Sequence, residues 1–312
     1  MNPSLEASPL LTSAEAAVPG MDPAAVERWA RRQMRVSPWL HEEVGSRMAQ
    51  RLAWIKAQPS AWMSWEPVHA GIQAHRTVAT AYPKARVLVQ SRVGEHTLDV
   101  LKAAAPESAG LMGRWRYTAP SLADAGVAVD MLWANMALHT THLPQTMLRR
   151  WHAALKPAGF LMFSCLGPDS LAEIRRVYAL LGWPVPAHAF TDMHDWGDML
   201  VQAGFAEPVM DMERITLSYS GSSALLDELR SLGGNLSSER AADSRGRQWL
   251  AGWHSAMEEH LPRDADGRLL LSFEVIYGHA HKGQPRIPVA QTSAVPLQSM
   301  RDMLGTQHRR TR

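Results

Sequence analysis

The stretch from Asp130 to Arg176 constrains the fold of this chain more than any other. It reads as an apolar strand, an exit loop, a helix, a turn, a second apolar strand and a second helix. Val129 to Trp133 and Phe160 to Leu166 are short, nearly continuous apolar runs, the pattern of parallel strands buried on both faces. Between them Leu143, Met147, Leu148, Trp151 and Leu155 recur at spacings of three and four, which places one apolar face on a helix. Lys156-Pro157-Ala158-Gly159 is expected to stop that helix, because Pro157 cannot continue it and Gly159 tolerates a turn. Ser170 and Glu173 have the spacing of a capping box at the start of the next helix. A βαβα unit of this kind predicts a doubly wound sheet with its ligand crevice at the carboxyl ends of the strands. Ala134 to Leu143 and Gly167 to Ser170 fall there.

The same reading extends along the chain. Asp22 is a candidate N-cap with Pro23 at the first helical position, opening a basic, amphipathic helix over 24–35. A second helix is expected over 39–56, with Leu40, Val44, Met48, Leu52 and Ile55 on one face. Strands are predicted at Ala61 to Trp65 and Ala85 to Val89, with a weak edge strand at Leu111 to Arg116. Pro67 to Gly71 reads as a loop, and helices are predicted over 72–80 and 94–105. Later helices are expected over 193–203, 222–232 and 247–260, with strands at Val209 to Tyr219 and Leu269 to Tyr277. Residues 1–20 read as a mobile leader, 21–282 as the folded domain and 283–312 as a mostly disordered tail with a short helix at 297–304.

The run WANMALHTTHLP, the following ALKPAGFLMFSCLGPDSLAEIR and the late FEVIYGHAHK resemble the class I S-adenosylmethionine-dependent methyltransferases of biotin synthesis. The resemblance spans about residues 24–282. It implies an α/β, Rossmann-like fold: a seven-stranded, mostly parallel sheet with an antiparallel last strand, helices on both faces and N-terminal helices over the crevice. It also implies methyl transfer to the free carboxyl of malonyl-acyl-carrier-protein, S-adenosylmethionine as cofactor and acyl carrier protein as partner. That carboxyl is ionised at neutral pH, so the reaction needs positioning rather than a general base.

The family's cofactor positions carry other residues here. The acid of the first strand falls on Ser64, and the three glycines of the loop after it fall on Glu66, Val68 and Ala70. The ribose-binding acid after the second strand falls on Ser91 and the adenine-contacting Asp near Thr118, and Asn135, at the carboxyl end of the Val129 to Trp133 strand, is a further cofactor position. Glycines at such positions let backbone approach a ligand without intervening Cβ atoms. Each lost charge-assisted contact costs roughly 1.5–3 kcal/mol. The replacements therefore imply weakened cofactor binding, and a catalytically inactive binding or assembly protein is the alternative reading. On the substrate side the crevice residues are His139, Gly167, Asp169 and Ser170.

Other features suggest structural roles. Cys165 lies within an apolar strand and is expected in the core. His139 with His142, and His279 with His281, lack the carboxylate and thiolate partners expected of a metal centre. Asp192, His194 and Asp195 lie where a helix opens, with Thr191 or Asp192 as its N-cap; Glu274 is expected to pair with Arg214, and Trp62, Trp65 and Trp133 to form core or crevice wall. A net charge of +2 argues against nucleic acid as a partner. A single cysteine and the lack of any apolar run of membrane-spanning length suggest the cytoplasm.

Overall fold

The structure is a computed structural model, and it describes residues 18–104, 119–241 and 245–284. The expected strand at Leu111 to Arg116, Thr118 and the helix at 297–304 lie outside the described residues, as do most of the leader and the tail.

Among the described residues seven strands form one sheet: β1 (Ala61–Trp65), β2 (Arg86–Gln90), β3 (Ser121–Leu122), β4 (Val129–Ala134), β5 (Leu155–Leu166), β6 (Phe205–Tyr219) and β7 (Leu269–Lys282). Their order across the sheet is β3-β2-β1-β4-β5-β7-β6. β1 to β5 pair in parallel, and β7 runs antiparallel to both β5 and β6. This is the mostly parallel sheet with an antiparallel last strand that the sequence implies.

Strand alternation builds two cores. Trp62, Met131, Trp133, Phe160 and Met162 face one side, where they pack against α2 (Trp39–Arg51), α4 (Ile72–Ala81), α7 (Ala172–Leu180) and α10 (Arg247–His260). Met63, Trp65, Leu132, Leu161 and Phe163 face the other, against α6 (Pro144–Ala154) and α8 (Met193–Gln202). Trp62 and Trp133 are thus core residues at 0% and 1% exposure. Cys165 is fully buried, and burial pushes its thiol pKa up, so it packs rather than reacts.

Several local expectations hold. Asp22 accepts a hydrogen bond from the Ala24 amide at 2.8 Å and caps α1 (Pro23–Ala30). Asp192 caps α8 in the same way, accepting from the His194 amide at 2.8 Å.

Others are corrected. α1 stops at Ala30, and α2 ends at Arg51 with a 3₁₀ turn over Leu52–Trp54. The segment expected as a loop after β1 forms a short helical turn, α3 (Pro67–Ala70). Residues 155–159 belong to β5: Leu155 pairs with Val129, Ala158 takes a left-handed φ of 63°, and the register shifts before Phe160. Gly159 is needed for close approach, since a Cβ there would lie 3.0 Å from the Asp130 carbonyl oxygen.

The Ser170–Glu173 capping box does not form. Ser170 bonds β7 instead, donating to the Glu274 carbonyl at 3.0 Å, and Glu173 accepts from the Ser272 amide at 3.1 Å. Tertiary partners outcompete the local cap because both residues lie against β7. The expected Glu274–Arg214 pair does not form either. The two residues are cross-strand neighbours, but Glu274 accepts from the Asp169 amide at 2.7 Å while Arg214 donates to the Asp169 carboxylate at 3.0 Å.

Gly278 on β7 lies opposite Phe163 on β5, and a Cβ at Gly278 would sit 2.0 Å from the ring. Gly278→Ala should therefore cost about 3 kcal/mol, the upper range for overpacking. Denaturant unfolding measures this, and pairing the change with Phe163→Leu should recover part of the loss.

Candidate functional site

A cavity opens at the carboxyl ends of β1, β2 and β4, between them and α1. Trp65, Glu66, His69, Ala70, Arg92, Asn135 and Arg150 contribute to its walls from the sheet side, and Val26, Glu27, Trp29 and His41 from the N-terminal helices. This is the crevice the βαβα unit predicts, roofed by N-terminal helices.

At the end of β1 the chain turns sharply. Glu66 adopts a left-handed φ of 47°, and α3 follows at once, with the Ala70 amide donating to the Glu66 carbonyl at 2.8 Å. The Glu66 carboxylate accepts from the Ser91 hydroxyl and from the Arg92 amide, both at 2.7 Å. It ties the ends of β1 and β2 together. Burial raises the Glu66 pKa to about 7, opposed by the Ser91 and Arg92 hydrogen bonds.

Asn135 joins three elements at the other wall. Its amide nitrogen donates to the carbonyl oxygens of His41, at 2.7 Å, and of Ala70. Its oxygen accepts from the Ser164 hydroxyl of β5 at 2.6 Å, and Ser164 in turn accepts from the Met136 amide at 2.9 Å. The resulting network holds α2, the β1 exit and the β4 exit in register.

His41 donates from Nδ1 to the His69 carbonyl at 2.6 Å, since a carbonyl can only accept. Its Nε2, and that of His69, are buried with no hydrogen-bond partner among the described residues. Burial lowers the pKa of both imidazoles to about 4. At neutral pH the cavity wall thus carries a carboxyl group, two neutral imidazoles with an unsatisfied nitrogen each, and two guanidinium groups. Buried polar atoms of this kind are normally paired, so a polar ligand is the natural partner.

Of the family cofactor positions, Glu66, Ala70 and Asn135 line this cavity. Ser64 does not: it is buried and bonded to His75 Nδ1 at 2.9 Å. Val68 packs with Ile72, Val89 and Leu101, and Ser91 reaches the site only through Glu66. On the substrate side, His139 lines a second cavity, described below, and not this one. Gly167, Asp169 and Ser170 line neither; that loop is stapled to β7 through Glu274. Among the described residues no group of three His, Cys, Asp or Glu side chains is placed to hold a metal ion, and no helix is long and apolar enough to cross a membrane. Sequence reasoning missed His41, His69, Arg92 and Arg150. Their only signal is position, beside the exits of β1 and β2 and on the helices flanking them.

Tested against S-adenosylmethionine, the cofactor the resemblance implies, the donor set fits. A carboxyl and unpartnered imidazoles suit a ligand bearing hydroxyl and charged groups. The glycine loop's backbone contacts are not reproduced, because the Ala70 amide and the Gly71 amide are both spent inside the α3 turn.

No family model matches the chain. Among solved structures, the YcgJ protein from Bacillus subtilis superposes with a TM-score of 0.50 at 9% identity, covering 78% of this chain and 99% of that one, a likeness of fold. Among curated proteins, the malonyl-acyl-carrier-protein O-methyltransferase of Gallionella capsiferriformans is 37% identical over 258 residues, covering 80% of this chain and 86% of that protein. That of Laribacter hongkongensis is 34% identical over 259 residues, covering 79% and 84%. By sequence kinship across four-fifths of its length, the chain belongs to the malonyl-acyl-carrier-protein O-methyltransferase family.

Proposed function

We propose that this chain transfers a methyl group to the free carboxylate of malonyl-acyl-carrier-protein. The observation that carries the reading is its 37% identity over 86% of a relative of that name. The cavity at the sheet's carboxyl edge supports it. S-adenosylmethionine, when bound, supplies an electrophilic methyl group. Glu66, His41 and His69 are the residues that would hold it, with Asn135 fixing the wall that carries them. Arg150, which lies over the Trp65 ring at 5.3 Å and lines the same cavity, is the cation for the acceptor carboxylate. The acceptor is ionised at neutral pH, so the protein's contribution is orientation and exclusion of water.

Three observations favour a second reading, a fold-retaining member without methyl transfer. The loop amides are consumed in the α3 turn and Glu66 is already bonded to Ser91. The cavity, at about 160 Å³, is also on the scale of the ~150 Å³ site that holds one benzene. Calorimetric titration with S-adenosylmethionine and S-adenosylhomocysteine, run beside a methyl-ester assay on malonyl-acyl-carrier-protein, separates the two. Micromolar binding and ester formation are expected. An absence of heat and of any thermal shift at millimolar ligand would establish the second reading.

A further inference from the structure

A second cavity of about 200 Å³ lies beyond the β4 exit, under α7, α9 (Ser222–Ser231) and α10. Its walls are mostly apolar, with Leu166, Ile174, Leu226, Leu229, Trp249 and Phe273 among them. It adjoins the first cavity: Thr140 lines both, and the His139 ring on its wall stands 6.4 Å from the His41 ring on the wall of the other.

Two polar groups interrupt the apolar lining. His188 is 6% exposed, and its Nε2 donates to the His139 carbonyl at 2.8 Å. Burial holds the imidazole neutral by lowering its pKa. The remaining Nδ1 is therefore a lone-pair acceptor, and it is buried without a partner among the described residues. Tyr178 is 8% exposed and accepts from the Trp253 indole N–H at 3.0 Å, which leaves its own hydroxyl hydrogen to donate. An apolar sleeve with one buried acceptor and one buried donor is the complement of a secondary amide set in an aliphatic chain. A purely hydrocarbon ligand would leave both groups unsatisfied.

We propose that this second cavity binds the amide-bearing aliphatic arm, of pantetheine type, on which a carrier protein presents its thioester. The cavity is then the acceptor channel, and the thioester end of the arm points through the Thr140 and His139 boundary toward the first cavity. His188 takes the N–H of one amide and Tyr178 gives a hydrogen to its carbonyl. This assignment rests on the proposed methyl transfer for its biological meaning, but binding to the channel is independent of the cofactor.

The test therefore uses the full chain without cofactor. Pantetheine is titrated by isothermal calorimetry against the wild type and against Leu229→Trp, which fills the channel from a half-buried position. Hexanethiol, an aliphatic thiol without amides, serves as the control ligand. Pantetheine is expected to bind at least tenfold more tightly than hexanethiol, and Leu229→Trp to weaken it at least tenfold. Leu226→Trp provides the same test should Leu229→Trp fold poorly, and thermal melts identify which variants are intact. Equal binding of the two thiols, or pantetheine binding untouched in a folded filled variant, overturns the assignment. If the channel behaves as expected while S-adenosylmethionine fails to bind, methyl transfer falls and the channel stands. The reverse result removes the channel alone.

Discussion

Lowering the pH from 7 to 5 should destabilise the protein by at least about 3 kcal/mol, the net contribution of the imidazoles and the carboxyl buried around the β1 exit. His41, His69 and His75 each have a folded pKa of about 4 against an ordinary 6.5, because burial disfavours their charged forms. Their stabilising contribution is complete above pH 6.5 and is lost as the pH falls toward 4, since only the unfolded chain takes up the proton. At pH 5, 1.5 pH units below 6.5, each loses about 2 kcal/mol, or about 6 kcal/mol for three. Glu66 works in the opposite direction. Its folded pKa of about 7 lies above the ordinary 4.5, so its contribution is greatest at low pH and declines between 4.5 and 7. Acidification from 7 to 5 recovers about 3 kcal/mol from it. The imidazoles win. Urea unfolding at the two pH values measures the difference, and His75→Gln, which removes one buried imidazole, should reduce the pH-dependent loss by about 2 kcal/mol. Stability that is flat or rising on acidification would show that these rings are charged or hydrated in the folded protein.

Asn135→Ala is expected to cost about 4 kcal/mol and to loosen the first cavity at the same time. The side chain is 1% exposed and serves two carbonyls and one hydroxyl from α2, the β1 exit and β5. Truncation strands three buried partners, each costing about 1–3 kcal/mol, with some relaxation. The functional consequence follows from which elements are joined. Once His41 and Ala70 are released, the two walls of the first cavity lose their common anchor, and affinity for S-adenosylhomocysteine should fall more than tenfold. Denaturant unfolding and calorimetry check the two effects separately. A loss below 1 kcal/mol would mean that the network is not the anchor it resembles.

The βαβα unit from Asp130 to Arg176 was legible because its signals are local. Apolar runs of strand length, a helix of period 3.6 and turn residues between them all act within a few residues of one another. The errors fall where a distant element offered a better partner. Ser170 and Glu173 carry the spacing of a helix cap, yet both bond β7 from about a hundred residues away. Glu274 was assigned to its cross-strand neighbour Arg214, yet a backbone amide at Asp169 was better placed. Residues 155–159 carry a turn composition but extend β5, because Leu155 finds Val129 on β4.

The site divides along the same line. The sequence alone determined a Rossmann-like methyltransferase sheet with a crevice at the carboxyl ends of its strands, and the resemblance places Glu66, Val68, Ala70, Ser91 and the Gly167 to Ser170 loop at that crevice. Only the tertiary structure decided what those residues do. Glu66 and Ser91 are 25 positions apart, His41 and His69 are 28 apart, and Asn135 reaches Ala70 across 65. Whether such groups face a ligand or one another depends on the stagger of neighbouring strands and on where α1 and α2 dock. A hydrogen bond is made or lost over less than 1 Å, and local sequence preferences do not position distant segments that closely.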